Sequence, residues 1–244
     1  MKVFAHRGFS GRYPENTMAA FGKAVECGAD GIELDVHLSR DGEVMIMHDE
    51  ALLRTTGRSG IVSDYNRAKL EGIGVGKNEE GRWNTSPTIP SLEEYFSTIG
   101  GKVETNIELK TAPLYYPGIE EKTAALIRRF SLEDRIIISS FNWMSVMRMK
   151  EIAPELRYAL LFSGIDLKRM GALFSDMGIA YYHPDQKLLS DELIADLHAH
   201  GVAVNAWTVN DEERMRWCLE HGCDGVITNF PDMARRVVDD SKRS

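Results

Sequence analysis

Cysteine is scarce in this chain of 244 residues, where it occurs only as Cys27, Cys218 and Cys223. An odd count without the spacing of a zinc site argues against both a disulfide framework and a cysteine-ligated metal. The sequence also lacks an apolar run of about 18 residues, which a membrane-spanning helix requires. Because no charged and apolar leader precedes the first strand-like residues, we expect a cytoplasmic protein.

Positive charge is also in short supply, since 29 Lys and Arg residues stand against 37 Asp and Glu residues and the formal net charge is -8. Domains that bind nucleic acid usually carry the opposite sign, so we expect no nucleic-acid partner. An acidic surface also repels anionic membranes, which argues against stable membrane association. The charge balance therefore favours a small-molecule substrate.

Short apolar runs alternate with amphipathic stretches along most of the chain, a pattern typical of parallel βα units. Eight runs predict barrel strands, over residues 3–5, 30–36, 105–109, 135–139, 157–162, 179–182, 202–208 and 225–228. Helices are predicted over 16–27, 91–98, 118–130, 142–151, 166–176, 190–200, 211–221 and 231–240. The chain length is close to the roughly 250 residues of a TIM barrel, so the pattern predicts an α/β protein with the TIM-type (β/α)₈ fold.

Residues 50–90 interrupt this alternation. They are rich in Gly, Ser, Thr, Asn and charged residues and show little periodicity. A short apolar run over 44–47 comes before them, and a helix with Ser91 and Glu94 as a capping box comes after them. We interpret the segment as an insertion or long loop over the mouth of the barrel.

Polar residues recur where the predicted barrel strands end, and in this fold the carboxyl ends of the strands face the active-site mouth. The residues at these positions are His6, Arg7, Glu33, Asp35, His48, Glu108 and Lys110. Glu33 and Asp35 are two residues apart on one strand, so both point to the same side, and the same holds for Glu108 and Lys110. The strand phase therefore gathers these charges in one cavity.

Several carboxylates inside a barrel cannot all ionise without compensation. A hard divalent cation such as Ca²⁺ or Mg²⁺ would provide it, whereas ion pairs with Arg7 and Lys110 are the alternative without a metal. His6 and His48 suit general acid and base catalysis near neutral pH. His37 is a lesser candidate because it is in phase with Glu33 and Asp35, and the other histidines are expected to be structural.

Several sequence blocks, taken in order, resemble the glycerophosphodiester phosphodiesterase family. They are HRG at 6–8 with PENTMAAF at 14–21, GIELDV at 31–36, HD at 48–49, NIELK at 106–110, VNAWTVN at 204–210 and GCDGVITNFP at 222–231. The resemblance extends over residues 3–235. It implies one domain over 1–244, in which about 49–104 would be a small insertion between the second and third barrel strands.

The resemblance also implies an activity and roles for single residues. The activity would be metal-dependent hydrolysis of a glycerophosphodiester to sn-glycerol 3-phosphate and an alcohol. Glu33, Asp35 and Glu108 would hold one divalent cation, His6 and His48 would be the catalytic acid/base pair, and Arg7 and Lys110 would bind the phosphate. Glu15 and Asn16 would cap the first helix, with Glu15 also orienting Arg7 or His6. Trp207 would form an apolar wall for the glycerol part or belong to the barrel core.

Two other functions are compatible with the same barrel. A phospholipase-type phosphodiesterase would need an apolar rim or a basic patch for a bilayer, for which only Trp83, Tyr115 and Tyr116 are candidates. A non-catalytic binding barrel is disfavoured because all seven polar residues are present. Met144, Met147 and Met170 on the outer helices would allow a homodimer interface, although packing within the protein is the alternative.

Overall fold

The computed structural model describes residues 1–164 and 169–242. Its strands are β1 (Lys2–His6), β2 (Gly31–Leu38), β3 (Val44–Ile46), β4 (Glu104–Leu109), β5 (Ile136–Ser140), β6 (Arg157–Phe162), β7 (Tyr181–Pro184), β8 (Ala203–Ala206) and β9 (Gly225–Thr228). Its α-helices are α1 (Met18–Glu26), α2 (Leu53–Thr56), α3 (Arg67–Leu70), α4 (Leu92–Thr98), α5 (Ile119–Arg129), α6 (Trp143–Ile152), α7 (Gly171–Asp176), α8 (Asp191–Ala199), α9 (Glu212–Glu220) and α10 (Pro231–Ser241).

Eight parallel strands close into a barrel with helices between them. The strand order is β1-β9-β8-β7-β6-β5-β4-β2, and β1 also pairs with β2, which joins the two ends. The predicted TIM-type (β/α)₈ fold is therefore confirmed. The short run predicted over 44–47 forms β3, which stands outside the ring and pairs antiparallel with the end of β2.

The two faces of the barrel strands pack against different partners. Outward-facing side chains such as Ile32 and Leu34 belong to the large core beneath the helices. Inside the ring, Phe4, Ile137, Ala159 and Ile227 from β1, β5, β6 and β9 form a separate apolar cluster. Strands on opposite sides of the ring can share such a cluster only across the interior. These side chains fill part of the barrel interior.

The stretch between β3 and α4 has a small core of its own. It is formed by Met45, Met47, Leu52, Val62, Leu70, Ile73, Val75 and Ile89. Helix α4 instead packs in the main core, where the Tyr95 ring meets Phe21 edge to face at 5.0 Å. The segment that precedes α4 is thus folded around its own apolar residues beside the barrel.

Boundaries differ from the sequence predictions at a few places. The strand predicted over 202–208 ends at Ala206, and Trp207 follows it with a single bridge to Asp185. Residues 166–168 of the helix predicted over 166–176 lie outside the described residues, and α7 begins at Gly171. Among the described residues, no helix combines the length and the apolar character that crossing a bilayer would take.

Candidate active site

A cavity of about 420 Å³ opens at the carboxyl ends of the barrel strands. It is lined by His6, Arg7, Glu33, His48, Asn106, Glu108, Lys110, Phe141, Leu161, Trp207, Thr208 and Ile227. Six of the seven polar residues singled out in the sequence are in this set. The seventh, Asp35, is fully buried and contacts Lys110 and Arg7. The structure thus brings all seven together.

Three carboxylates form a buried cluster, and two of them, Glu33 and Glu108, line this cavity. Glu33, Asp35 and Glu108 each offer an oxygen, and these atoms lie within 4.8 Å of one another. They meet because β2 and β4 are neighbours in a register that places Asp35 opposite Glu108. Burial raises the pKa of Glu108 to about 7, and burial together with Asp35 raises the pKa of Glu33 well above its usual range. The protein alone therefore does not stabilise three negative charges here.

Two cations compensate part of this charge. The Lys110 Nζ atom lies 3.0 Å from Asp35 Oδ1 and 2.5 Å from Glu108 Oε1, and Arg7 Nε lies 3.5 Å from Asp35 Oδ2. Against the effect of burial, Lys110 and Arg7 hold the pKa of Asp35 below its usual range. Within the described part of the chain, Glu33 has no ion pair with either cation. Three oxygen donors and an uncompensated carboxylate are what a hard divalent cation such as Ca²⁺ or Mg²⁺ requires, so the residues fit one.

His6 ends β1 beside this cluster. Its Nδ1 atom lies 2.6 Å from Asn229 Oδ1, and its Nε2 atom lies 3.9 Å from Glu33 Oε2. Burial and the nearby Arg7 lower the pKa of His6 to about 4. The ring is therefore neutral at pH 7. It lies between the side-chain amide of Asn229, which follows β9, and the carboxyl group of Glu33 on β2.

His48 follows β3 and has a different partner. Its Nδ1 atom lies 2.6 Å from Asp49 Oδ1, and Arg54 holds the same carboxylate. Burial lowers the pKa of His48. The backbone carbonyl of His48 accepts a hydrogen bond of 3.0 Å from His37 Nε2. His37 is buried and supports the His48 backbone, and it does not line the cavity.

The loop between β1 and α1 positions Arg7 and Glu15. Arg7 has a φ angle of 57°, in the left-handed region, and its Nη1 atom donates to Glu15 Oε1 at 3.0 Å. Thr17, and not Glu15 or Asn16, caps α1, because its side chain accepts from the Ala20 amide. Asn16 instead donates to Asp35 Oδ2 at 2.8 Å. Glu15 was expected to orient either Arg7 or His6, and in the structure it contacts Arg7.

One side of the cavity is apolar. Phe141, Leu161, Trp207 and Ile227 line it, and the Phe141 and Trp207 rings meet edge to face at 5.4 Å. The Trp207 indole donates to the backbone carbonyl of His183 at 2.7 Å, which fixes the ring. Trp207 also packs against the interior apolar cluster. It therefore lies in the wall of the cavity and against the barrel core at once.

Sequence reasoning did not assign a role to several residues in and around this site. They are Asp49, Arg54, Asn106, Phe141 and Asn229. Asp49 and Asn229 stand inside the quoted blocks, next to His48 and at the end of the last strand, so their position was a usable signal. Arg54 lies in the segment without periodicity, and nothing in its local sequence indicates that it binds the carboxylates of Asp49 and Glu15.

Comparison with known proteins gives matches over nearly the whole chain. The model of the glycerophosphoryl diester phosphodiesterase family matches residues 6–233. A glycerophosphodiester phosphodiesterase from Bacillus altitudinis is 38% identical over 245 residues, which is 99% of each chain. One from Caldanaerobacter subterraneus subsp. tengcongensis is 40% identical over 237 residues, 97% of each chain.

A solved structure is similar in fold as well. It is that of an Oleispira antarctica phosphodiesterase in complex with the product sn-glycerol-3-phosphate. The TM-score is 0.86 at 30% identity, and the match covers 98% of this chain and 97% of that one. The chain described here therefore belongs to the glycerophosphoryl diester phosphodiesterase family, as its ordered sequence blocks predicted.

Proposed function

We propose that this protein hydrolyses glycerophosphodiesters to sn-glycerol 3-phosphate and an alcohol, with a divalent cation and a pair of histidines. Family membership makes it a phosphoric diester hydrolase. The observation that carries the finer proposal is the buried carboxylate cluster, which borders the cavity that Lys110, Arg7, His6 and His48 also line. The product bound in the Oleispira antarctica relative supports the same product here.

Glu33, Asp35 and Glu108 would hold the cation, because they supply three buried oxygen donors on two adjacent strands. A bound Ca²⁺ or Mg²⁺ would act as a Lewis acid toward the phosphoryl oxygens. Lys110 and Arg7 already stand beside this cluster. They would bind the non-bridging phosphate oxygens and offset the charge that develops in the transition state.

The two histidines would divide the proton transfers according to their partners. An amide oxygen only accepts hydrogen bonds, so His6 Nδ1 must donate to Asn229 Oδ1, and Nε2 is then free to accept a proton. His6 would take the proton of the nucleophile, which is water or the adjacent glycerol hydroxyl. The second nucleophile would give a cyclic phosphate that water then opens.

His48 would be the general acid in this proposal. Its Nδ1 atom faces the carboxylate of Asp49. Burial lowers the pKa of His48, and the hydrogen bond to Asp49 offsets part of that effect. The carboxylate also fixes the ring, so that Nε2 of the protonated form can pass a proton to the departing alcohol oxygen. The apolar wall with Phe141 and Trp207 would cover the carbon atoms of the glycerol part.

The deciding experiment is turnover of glycerophosphocholine, followed by the release of sn-glycerol 3-phosphate. We expect activity that EDTA abolishes and that added Ca²⁺ or Mg²⁺ restores. Turnover that survives complete metal removal contradicts the metal-dependent mechanism. No turnover with any glycerophosphodiester favours a binding barrel, and co-sedimentation with liposomes together with cleavage of bilayer lipid favours the phospholipase alternative.

A further inference from the structure

We propose that Arg54 is a positioning residue that orients both His48 and Arg7, so that the segment between β3 and α4 completes the active site. The inference rests on the roles proposed above for these two residues. Arg54 lies on the short helix α2, outside the ring of barrel strands. It does not line the cavity, and it acts through two carboxylates that do contact site residues.

One guanidinium group binds both carboxylates. Toward Asp49, Arg54 Nε lies 2.5 Å from Oδ2 and Nη2 lies 3.1 Å from Oδ1. Toward Glu15, Nη1 lies 2.8 Å from Oε2 and Nη2 lies 2.7 Å from Oε1. Both contacts are bidentate, which is the geometry that the planar fork of arginine provides and a lysine ammonium does not.

Each carboxylate then holds one residue of the proposed machinery. Asp49 Oδ1 accepts from His48 Nδ1 at 2.6 Å, and Glu15 Oε1 accepts from Arg7 Nη1 at 3.0 Å. The acid/base residue and the phosphate-binding residue are thereby linked through a single group. Rotation of either carboxylate away from Arg54 would release the side chain that it holds.

The backbone that carries Arg54 is firmly anchored. Leu52, just before α2, is fully buried in the small core of this segment, and Thr56 donates to the Leu52 carbonyl at 2.7 Å. The Thr55 carbonyl accepts from the Gly76 amide at 2.7 Å. The backbone of Arg54 is therefore held by packing and hydrogen bonds, and its orientation does not depend on the two carboxylates alone.

A merely structural role for Arg54 predicts a different outcome. If Arg54 only stabilised the fold, its removal would leave the kinetic constants unchanged. It would lower the melting temperature only slightly, because half-exposed ion pairs usually contribute little to stability. A positioning role would show as lower kcat through Asp49 and higher KM through Glu15. The contact with Asp49 and the contact with Glu15 can therefore be tested separately in the same enzyme.

The test compares steady-state kinetics of wild type with Arg54→Ala, Arg54→Lys, Asp49→Asn and Glu15→Gln. We expect Arg54→Ala to lower kcat/KM about 10- to 100-fold, as the loss of a residue that orients a site ligand typically does. Arg54→Lys should recover only a small part of the lost kcat/KM. Asp49→Asn should act mainly on kcat and Glu15→Gln mainly on KM.

Arg67→Ala is the matched control. The Arg67 guanidinium also binds several carboxylates of the same region, Glu43, Glu71 and Glu93, and in the described part of the chain none of them pairs with a site residue. It should retain wild-type kinetics. In an Asp49→Asn/Glu15→Gln background, adding Arg54→Ala should change kcat/KM by less than about threefold, because coupled residues are not additive.

A spectroscopic readout separates this inference from the proposed function. In ¹H–¹⁵N spectra of the histidine rings, Arg54→Ala should shift the Nδ1 signal of His48, and Arg67→Ala should not. This readout decides the inference even if the wild type turns over no glycerophosphodiester. Should Arg54→Ala fail to fold, Arg54→Lys carries the same comparison. An unchanged His48 signal, or a full Arg54→Ala effect in the double-variant background, overturns the proposal.

Discussion

Asn229 Oδ1 lies 2.6 Å from Nδ1 of His6, although 223 positions separate the two residues. The contact exists because β1 and β9 are neighbours in the closed barrel and place the ends of both strands side by side. An amide oxygen cannot donate a hydrogen bond, so it selects the ring tautomer with the proton on Nδ1. Nε2 is then the nitrogen that can accept a proton.

Replacing Asn229 should therefore affect turnover more than substrate binding. We expect Asn229→Ala to lower kcat about 10- to 100-fold with little change in KM, because the ring of His6 loses its orienting partner. Asn66→Ala is a suitable control, since Asn66 is exposed and its amide oxygen accepts from Arg40 on the surface. A variant with wild-type kcat would show that the tautomer does not depend on this contact.

The histidine pair can be tested by single replacement. His6→Ala and His48→Ala should each lower kcat at least about 100-fold, the lower end of what general acid or base groups contribute. The surface histidine His198, which pairs with Asp224 at 2.8 Å, provides His198→Ala as the control with retained turnover. Near-normal kcat in both site variants would remove the acid/base assignment.

Metal binding should stabilise the folded protein independently of activity. At a free Ca²⁺ or Mg²⁺ concentration of about 100 times Kd, binding to the native state alone adds about 2.7 kcal/mol to the free energy of unfolding. We expect a rise in melting temperature on metal addition that EDTA reverses and that Glu33→Gln largely removes. Glu104→Gln is the control, because Glu104 on β4 pairs with Lys2 and Arg157 and is outside the carboxylate cluster. A metal-induced shift of equal size in Glu33→Gln would place the cation elsewhere.

Acid should destabilise the protein through a buried histidine that is not part of the carboxylate cluster. Burial lowers the pKa of His183 to about 3, and its Nε2 atom accepts from Asn205 at 3.2 Å. The unfolded chain, with the ordinary value of about 6.5, therefore binds the proton first as the pH falls. The stabilising contribution is complete above about pH 6.5 and is lost toward the folded pKa, with a slope of up to about 1.4 kcal/mol per pH unit.

Urea unfolding of wild type and His183→Gln at several pH values between about 7 and 4.5 measures this slope. The variant should show a weaker dependence of the unfolding free energy on pH. Only the difference between the two proteins isolates His183, because burial also lowers the pKa of His6 and His37 to about 4. Identical slopes would mean that His183 does not titrate differently on unfolding.

Local periodicity predicted those parts of the site whose residues lie on the same strand. Glu33 and Asp35 share a face because side chains on a strand alternate with a period of two, and the same reasoning placed Glu108 with Lys110. It could not find the role of Arg54, because α2 is held by a small core whose members come from β3 to Ile89. Nor could it pair Asn229 with His6, since ring closure decides that contact.

The sequence by itself determined the barrel class, the family and the seven charged or ionisable residues that gather at one end of the barrel. Strand phase and ordered blocks are properties of short stretches, so they can be read without coordinates. Only the tertiary structure decided which nitrogen of His6 can accept a proton, and that Asp35 and Glu108, among the described residues, pair with Lys110 while Glu33 does not. It also decided that a segment outside the barrel reaches His48 and Arg7. These depend on distances between residues far apart in the chain, which the closure of the barrel and the packing of α2 fix.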